Sequence, residues 1–459
     1  MEHASGRGVP FKASVARTRE RCAIQNERRR YASAAVQKCS KWLSAAWFFE
    51  VPKTAPKASN VCQNSSEAAE RDSFCTRSQL EQPWLRTDGA IYITLRSMLL
   101  RVASRRAVAA SRRHLTVAVT GASGYVGSYI TEELLKRGHD VRALVRGCDT
   151  NKEKAAHLQA LPGADRLTLI DGGALSVQGS FEAGLAGADA VVHAAATVVI
   201  GRDPSIASAA VDGVENVLSS LPPECKTFVL TSSIAAVISL DKASLTFDES
   251  DWNDYSSLSS GDAYGYGKTR AERRARDHCK NINFVALHPG IVLGPVMTKP
   301  HTKASPVFVR NLLLPKPILN PESAHFVDVR DVAAAHCIAV ERASELDGGR
   351  FILCNDETCE SVNPVSLGKV AAEACPEYEY TADPLLSPWK FSLAKALSHV
   401  PFVGPRVMTE YERRVFEART TLSNARAKNE LGLTFRPHAD TVADTVRACV
   451  GLGIAHRRA

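Results

Sequence analysis

A glycine-rich turn between a strand and a helix restricts the fold of this chain more than any other segment. The apolar run Leu115–Val119 has β-propensity and leads into Thr120–Gly127, which reads TGASGYVG. A helix is predicted directly after the turn, because apolar residues recur there at every fourth position. The run Val141–Val145 predicts a second strand. The order strand, glycine turn, helix and strand predicts a parallel βαβ unit.

Each glycine of this turn has a physical role in binding a dinucleotide. Gly121 permits the tight turn, Gly124 lets backbone amides approach a pyrophosphate, and Gly127 lets the helix pack closely on the sheet. The positive end of the helix then faces the anion. Arg146 follows the second strand, and no carboxylate occurs before Asp149. Because a cation there pairs with a 2′-phosphate, the sequence predicts NADP(H), with an ordinary surface arginine as the alternative.

A tyrosine and a lysine four residues apart form a candidate acid–base pair. Tyr264 and Lys268 share one face of a predicted helix. An ammonium beside a phenol lowers the pKa of the phenol, which can then donate a proton to a carbonyl that accepts hydride. A hydroxyl at Thr231–Ser233, where a neighbouring strand ends, would polarise the same oxygen. Tyr266 has Arg270 at the corresponding spacing and is predicted to be a packing aromatic.

Further strands are predicted at the spacing of an α/β fold. They are Leu167–Ile170, Ala190–His193 and Thr227–Leu230. Three histidines in apolar surroundings are predicted to be core residues rather than bases: His193, His288 and His336. The twelve cysteines form no C-x-x-C pair, so no metal site is expected.

These motifs, in this order, resemble the extended short-chain dehydrogenase/reductases of the NAD-dependent epimerase/dehydratase superfamily. The match is closest to the dihydroflavonol reductase, cinnamoyl-CoA reductase and methylglyoxal reductase branch, and it covers about residues 115–455. The segments that carry it are TGASGYVG (120–127), VRALVRG (141–147), TSS (231–233), FDESDWND (247–254), YGYGK (264–268), HPGIVLGP (288–295), HFVDVRDVAAAH (325–336), GRFILCN (349–355) and SNARAKNELGLTFRP (423–437). The resemblance implies a Rossmann-type doubly wound parallel sheet with a smaller C-terminal substrate-binding subdomain.

The resemblance also implies roles for individual residues. Ser233 would polarise the substrate, Tyr264 would donate the proton, and Lys268 would bond the nicotinamide ribose. The implied cofactor contacts are Gly121, Ser123, Gly124, Tyr125, Val126, Gly127, Arg146, Lys154, Asp171, Ala194, Ala195, Tyr264, Lys268, Pro289, Ile291 and Val292. Asp171 is assigned to the adenine, although the usual Asp-Leu pair reads Asp-Gly here. The run Ala194–Ala196 departs from the family's usual substrate-side wall.

The charge distribution separates an N-terminal extension from the folded part. Residues 1–113 hold 21 Lys and Arg against 9 Asp and Glu, whereas the remainder holds 36 against 40. A basic, nucleic-acid-binding body is therefore disfavoured. No run of eighteen apolar residues predicts a membrane span. The predicted division is a disordered extension (1–97), a basic segment (98–114), an NADP-binding domain (115–290 plus about 325–340) and a mainly substrate-binding part (291–459).

The basic segment Met98–His114 is acid-free and rich in arginine, alanine and serine. This composition is typical of a mitochondrial or plastid presequence. Translation from Met98 is one interpretation, and a solvated basic linker is the other. The predicted location is therefore the mitochondrial matrix or another organelle if the segment is a presequence, and the cytoplasm otherwise.

The resemblance implies an NADPH-dependent oxidoreductase that reduces a ketone, aldehyde or acyl-CoA, with a small-molecule carbonyl as its partner. Dehydrogenation of a 3β-hydroxysteroid is the same chemistry in reverse. A nucleotide-sugar epimerase or dehydratase is an alternative on the same fold, but it needs tightly held NAD and basic residues for a diphosphate, for which residues 305–314 offer only Arg310. A non-catalytic NADP-binding sensor is the third alternative. The sequence leaves the oligomeric state open.

Overall fold

The structure, a computed structural model, describes most of the chain from residue 114 onwards. The described residues are 114–196, 198–199, 201–313, 324–355, 364–378 and 418–454, together with 380, 393, 396, 397 and 414. The predictions for the extension and for nearly all of the basic segment, residues 1–113, lie outside them. Within the described residues, no helix is long and apolar enough to cross a membrane.

Strands and helices alternate along the first two thirds of the described chain. The strands are β1 (Thr116–Thr120), β2 (Asp140–Val145), β3 (Leu167–Asp171), β4 (Ala190–His193), β5 (Thr227–Thr231), β6 (Thr246–Phe247), β7 (Asn283–Pro289), β8 (Ile291–Leu293), β9 (Phe326–Asp328), β10 (Gly349–Leu353) and β11 (Thr421–Leu422). The helices are α1 (Tyr125–Lys136), α2 (Ala156–Gln159), α3 (Glu182–Leu185), α4 (Pro204–Ser219), α5 (Ala263–His278), α6 (Val307–Leu312), α7 (Val329–Glu341), α8 (Pro364–Ala374), α9 (Ala425–Asn429) and α10 (His438–Gly451).

Seven of the strands form one sheet, in the spatial order β3-β2-β1-β4-β5-β7-β10, and every pair in it is parallel. The strand order reverses between β1 and β4, where Thr120 lies opposite His193. The crevice beyond the carboxyl ends of the strands at such a reversal is the usual ligand site of a doubly wound sheet. The predicted α/β fold with a Rossmann-type parallel sheet is confirmed.

Helices cover both faces of the sheet, so its central strands are apolar on both sides. Val117 and Val119 of β1 face one cluster, which includes apolar residues of α1, α7 and α10. Ala118 faces the other, which includes residues of α4 and α5. In that second cluster the rings of Phe228 and Phe284 stack with centroids 6.4 Å apart. The alternation of faces along β1 is the two-residue period of a strand.

Aspartate caps fix the starting points of three long helices. Asp203, Asp262 and Asp328 precede α4, α5 and α7, and each accepts a hydrogen bond from a backbone N–H two or three residues further on, at 2.8–2.9 Å. Such caps satisfy helix N–H groups that otherwise lack a partner. The cap on α5 determines where Tyr264 and Lys268 lie relative to the sheet.

The last strand of the main sheet comes from a part of the chain that the sequence analysis placed mainly with the substrate-binding region. The strand β10 pairs with β7 over five residues, and Phe351, Ile352 and Leu353 are fully buried. The range 291–459, predicted to be mainly substrate-binding, therefore also contributes a strand to the main sheet. The local apolar run resembles any short buried strand, and only its tertiary pairing identifies the sheet.

The glycine turn packs its own backbone closely against the start of α1 and against the end of β4. Gly121 adopts a left-handed φ of 70°, and a Cβ there would lie 2.7 Å from the Cα of Ala195 at the end of β4. A Cβ on Gly127 would lie 2.2 Å from the carbonyl oxygen of Gly121. Contacts this short exclude any side chain, so the two glycines let α1 begin directly on the sheet.

We predict that Gly127→Ala destabilises the protein by about 1–3 kcal/mol, because the added methyl group overlaps a backbone carbonyl that has no room to move. Urea denaturation measures the effect. Gly451→Ala, at the end of α10, is the matched control, because a Cβ there meets no atom within 4 Å. Equal stability of the two variants would contradict the close packing of α1.

Candidate active site

The glycine turn forms the floor of the crevice at the carboxyl ends of β1 and β4. Gly124 caps the twelve-residue helix α1, whose first turn contains no acidic side chain. The Tyr125 hydroxyl donates to the carbonyl oxygen of Gly294 at 3.0 Å and is buried, so its side chain points away from the crevice. A helix N-terminus with closely approachable amides suits an anionic group such as a pyrophosphate.

The turn after β2 brings two cationic side chains to one corner of the crevice. Arg146 and Lys154 are both exposed, and the Lys154 Nζ donates to the backbone oxygen of Arg146 at 3.1 Å. The predicted adenine contact, Asp171, accepts hydrogen bonds from the backbone N–H groups of Gly147 at 2.6 Å and of Asp149 at 3.3 Å. Its carboxylate therefore holds the turn that carries Arg146, a role the sequence did not indicate.

A thiol and two acids also lie together at this corner. The potential ligand atoms of Cys148, Asp149 and Asp171 lie within 4.8 Å of one another. Burial raises the pKa of the Cys148 thiol, and the nearby Asp171 carboxylate adds to the effect. Since the Asp171 oxygens already accept backbone N–H groups, this arrangement is explained by the turn itself.

The remaining predicted cofactor contacts lie at the ends of neighbouring strands. Ala194 and Ala195 follow β4 and are half-buried, and the Ala195 N–H donates to the Thr120 hydroxyl at 3.3 Å. Ile291 begins β8, and its N–H donates to the His325 carbonyl at 2.7 Å. Of the other predicted contacts, Ser123 lies in the glycine turn, Val126 in the first turn of α1, Pro289 at the end of β7 and Val292 in β8. All of these segments lie in the described part of the chain, and their contact with a cofactor remains a prediction.

The structure brings the three predicted catalytic residues together. Ser233 lies two residues after the end of β5, and its hydroxyl accepts a hydrogen bond from the backbone N–H of Ala235 at 3.2 Å. Tyr264 lies close enough to Ser233 for the serine hydroxyl to lower the pKa of its phenol. Lys268, one turn further along α5, donates from Nζ to the carbonyl oxygen of Thr231 at 3.2 Å. The end of β5 and the first turns of α5 therefore meet at one point.

The environment moves the pKa values of Tyr264 and Lys268 in opposite directions. Burial raises the pKa of the Tyr264 phenol, and the hydrogen bond with Ser233 opposes this in part. Burial lowers the pKa of Lys268 to about 8, and the carboxylate of Glu272 opposes that decrease. The sequence predicted a lowered phenol pKa from the tyrosine–lysine spacing, whereas in the protein alone burial dominates. The phenol is consequently protonated at neutral pH, which is the form that can donate.

Two of the three histidines are satisfied core residues, as predicted. His193 is buried, with its Nδ1 2.8 Å from the Thr120 hydroxyl. His336 is fully buried, its Nδ1 lies 2.8 Å from the Val332 carbonyl, and its Nε2 lies 2.8 Å from the Thr231 hydroxyl. Burial lowers the pKa of His336 to about 4, and the neutral ring fits these partners.

The third histidine, His288, is buried as predicted but pairs with a carboxylate that the sequence analysis did not identify. Its Nε2 lies 2.6 Å from an oxygen of Glu272, which is itself fully buried. The spacing of Glu272 four residues after Lys268 was available as a signal. Tyr266 is half-buried, with the Arg270 guanidinium 5.7 Å from its ring centroid, in agreement with a packing role.

We predict that acid destabilises the protein through His336. The unfolded chain binds a proton there below pH 6.5, whereas the native ring binds one only near pH 4. Stability is therefore complete above pH 6.5 and falls by about 3 kcal/mol as the pH decreases to 4. The free energy of unfolding, measured in urea at a series of pH values, should have a smaller slope against pH for His336→Gln than for the unmodified protein. The exposed His278→Gln is the control, and an unchanged slope in both variants would refute the assignment.

Comparisons with known proteins show which proteins this chain is similar to. Residues 117–354 match the NAD dependent epimerase/dehydratase family. Cinnamoyl-CoA reductase 2 of Medicago truncatula is 34% identical over 295 residues, which are 61% of this chain and 84% of that protein. Dihydroflavonol 4-reductase of Arabidopsis thaliana is 31% identical over 281 residues, which are 57% and 70% of the two chains.

A solved structure shares the fold over its whole length. The yeast methylglyoxal/isovaleraldehyde reductase Gre2, complexed with NADPH, superposes with a TM-score of 0.57 at 25% sequence identity. The alignment covers 74% of this chain and 100% of the yeast reductase.

Proposed function

The chain belongs to the NAD dependent epimerase/dehydratase family, and we propose that it is an NADPH-dependent oxidoreductase that reduces the carbonyl of a small molecule. One observation carries the proposal. A phenol and a hydroxyl, Tyr264 and Ser233, lie close together beside the crevice into which the N-terminus of α1 opens, and Lys268 lies one turn beyond, where its ammonium donates to the carbonyl oxygen of Thr231. A ketone, an aldehyde and an acyl-CoA all present the carbonyl that this arrangement suits.

The cofactor of this proposal is NADP(H). Gly121 and Gly127 let α1 begin directly on the sheet, Gly124 at its N-terminus lets backbone amides approach the pyrophosphate, and Arg146 and Lys154 offer two positive charges to a 2′-phosphate. The NADPH bound to the yeast reductase and the reductase names of the plant relatives support the same assignment. NADPH, when bound, supplies the hydride.

The side chains of this protein supply the proton and orient the substrate. The Ser233 hydroxyl binds the carbonyl oxygen and stays within hydrogen-bond reach of Tyr264. The Tyr264 phenol, kept protonated by its burial, donates its proton as negative charge develops on that oxygen. The ammonium of Lys268 stabilises the phenolate that remains and binds the ribose hydroxyls.

Two other functions fit the fold but explain fewer of its residues. An epimerase or dehydratase requires tightly held NAD, against which the cationic corner at Arg146 argues. Its substrate diphosphate would need basic residues, but the half-buried Arg310 already hydrogen-bonds Asn311. A non-catalytic sensor would not require the Ser233, Tyr264 and Lys268 set. The reverse reaction, dehydrogenation of a steroid-type alcohol, uses the same residues.

We predict that Arg146→Asp weakens NADPH binding by at least about 2 kcal/mol and spares NADH, because only NADPH has a phosphate to pair with the guanidinium. Titration of the fluorescence of each reduced cofactor measures the two affinities. The control is Arg274→Asp, which changes the same charge at an exposed arginine paired with Glu215. An equal loss for both cofactors in Arg146→Asp would reject the 2′-phosphate assignment.

We further predict that Tyr264→Phe lowers kcat by about 10²–10⁴-fold while NADPH still binds, because only the proton donor is removed. Absorbance of NADPH, followed with a panel of aromatic, aliphatic and acyl-CoA carbonyls, measures turnover. Tyr266→Phe is the matched control, two residues away on the same helix, and should retain nearly full activity. If Tyr266→Phe were inactive and Tyr264→Phe active, the donor would be Tyr266.

A further inference from the structure

A buried carboxylate lies directly behind the catalytic residues. Glu272 is inaccessible to solvent, and it stands one helical turn after Lys268 on α5. One of its oxygens accepts hydrogen bonds from the Ser232 hydroxyl at 2.7 Å and from His288 Nε2 at 2.6 Å. The other accepts from Arg350 Nε at 2.7 Å. A single carboxylate thus joins α5 to the ends of β5 and β7 and to β10.

The arginine of this ion pair extends the connection to the loops around the site. Arg350 Nη1 donates to the backbone oxygens of Glu249 at 2.7 Å and Asp251 at 2.5 Å. Its guanidinium stacks on the ring of Trp252, 3.8 Å from the centroid. Arg350 Nη2 reaches the carbonyl oxygen of Ala236 at 3.4 Å, in the 3₁₀ turn that Ser233 caps. The pair therefore fixes both the segment 249–252 and the turn that follows Ser233.

The position of Ser232 connects the hydrogen bonds of Glu272 to the catalytic residues. Ser232 lies between Thr231, whose carbonyl oxygen accepts a hydrogen bond from the Lys268 ammonium, and Ser233, whose hydroxyl lowers the pKa of Tyr264. The Ser232 backbone N–H also donates to the carbonyl oxygen of Leu287 in β7 at 2.8 Å. With its hydroxyl held by Glu272, this residue cannot rotate without moving its two neighbours.

The negative charge of Glu272 also acts on Lys268. Burial disfavours the ammonium form of Lys268 and sets its pKa at about 8, and Glu272 is the charge that opposes this effect. The other titratable groups that face Glu272 are Arg276 on α5, His288 on β7 and Arg350 on β10. Burial raises the pKa of Glu272, but its contacts with His288, Arg350 and Ser232 outweigh this effect and lower the pKa to about 2, so the carboxylate remains ionised. Lys268 itself also faces His193 at the end of β4.

We propose that Glu272 is a positioning residue of the reductase: through its hydrogen bond to Ser232 it fixes the segment after β5 that carries Ser233, and its carboxylate, one helical turn after Lys268, acts on the charge of that lysine. The inference rests on the proposed carbonyl reduction. It assigns two separable effects to one side chain, a geometric effect on Ser233 and an electrostatic effect on Lys268.

The test compares the full-length protein with Glu272→Gln, Ser232→Ala and a control. Asp331→Asn is the control, because Asp331 is a buried acid on α7 that pairs with Arg436 and touches none of these residues. The kcat of NADPH-dependent reduction is measured between about pH 6 and pH 10, with the melting temperature of each variant as a measure of stability.

Glu272→Gln should lower kcat by about 10–100-fold, because Ser233 loses its fixed position. The alkaline limb of its pH profile should move to lower pH by at least about half a pH unit, because Lys268 loses the opposing charge. Ser232→Ala should lower kcat and leave the limb in place, since it removes only the geometric effect. Asp331→Asn should lower the melting temperature and change neither quantity.

If Glu272→Gln does not fold, Glu272→Asp replaces it: with the charge kept and the reach shortened, kcat should fall and the limb should stay. The proposal is wrong if Glu272→Gln matches Asp331→Asn in both kcat and limb. If the unmodified protein binds NADPH but reduces none of the carbonyls, the proposed function fails instead. The pH dependence of NADPH affinity then tests the effect on Lys268 alone. As the pH is raised, the affinity of Glu272→Gln for NADPH should begin to decline at a lower pH than the affinity of the unmodified protein.

Discussion

The contact on which the whole site depends is the one between backbone atoms at the start of α1. Because Gly121 and Gly127 carry no side chain, the helix begins against the ends of β1 and β4 rather than one side-chain layer above them. This closeness places the amide end of α1 at the point where the strand order reverses. Because Gly121 and Gly127 have no Cβ, they determine the depth of the crevice. That depth in turn sets the distance from an anion to Tyr264 and Lys268.

Features that depend on neighbouring residues could be predicted from the sequence. The glycine turn, the strand ends and the four-residue spacing of Tyr264 and Lys268 each define a local geometry, and the structure contains all of them. The shift in the pKa of Tyr264 could not be predicted, because spacing shows the lysine but not the burial that opposes it. The resemblance to a family supplied the role of Ser233, which spacing alone would not distinguish from Ser232.

Features that depend on distant parts of the chain were missed for a common reason. The partners of Glu272 are residues 232, 288 and 350, each from a different strand end. The edge strand β10 was likewise assigned to another part of the protein, although its residues are as apolar as those of β5. From the sequence alone, a glutamate in an arginine-rich helix is predicted to be exposed to solvent. It becomes a buried ion only when β7 and β10 close over it.

The parallel pairing of β10 has a consequence for how the molecule is made. The strand that carries Arg350 is synthesised more than sixty residues after β7 begins, and parallel partners separated in this way pair late in folding. Until β10 docks, Glu272 has no guanidinium beside it, and the loop at residues 249–252 has no anchor. A nascent chain can therefore form its nucleotide crevice well before its reactive groups are aligned. The docking of this last strand is therefore the step that brings Arg350 to Glu272 and fixes the segment that leads to Ser233.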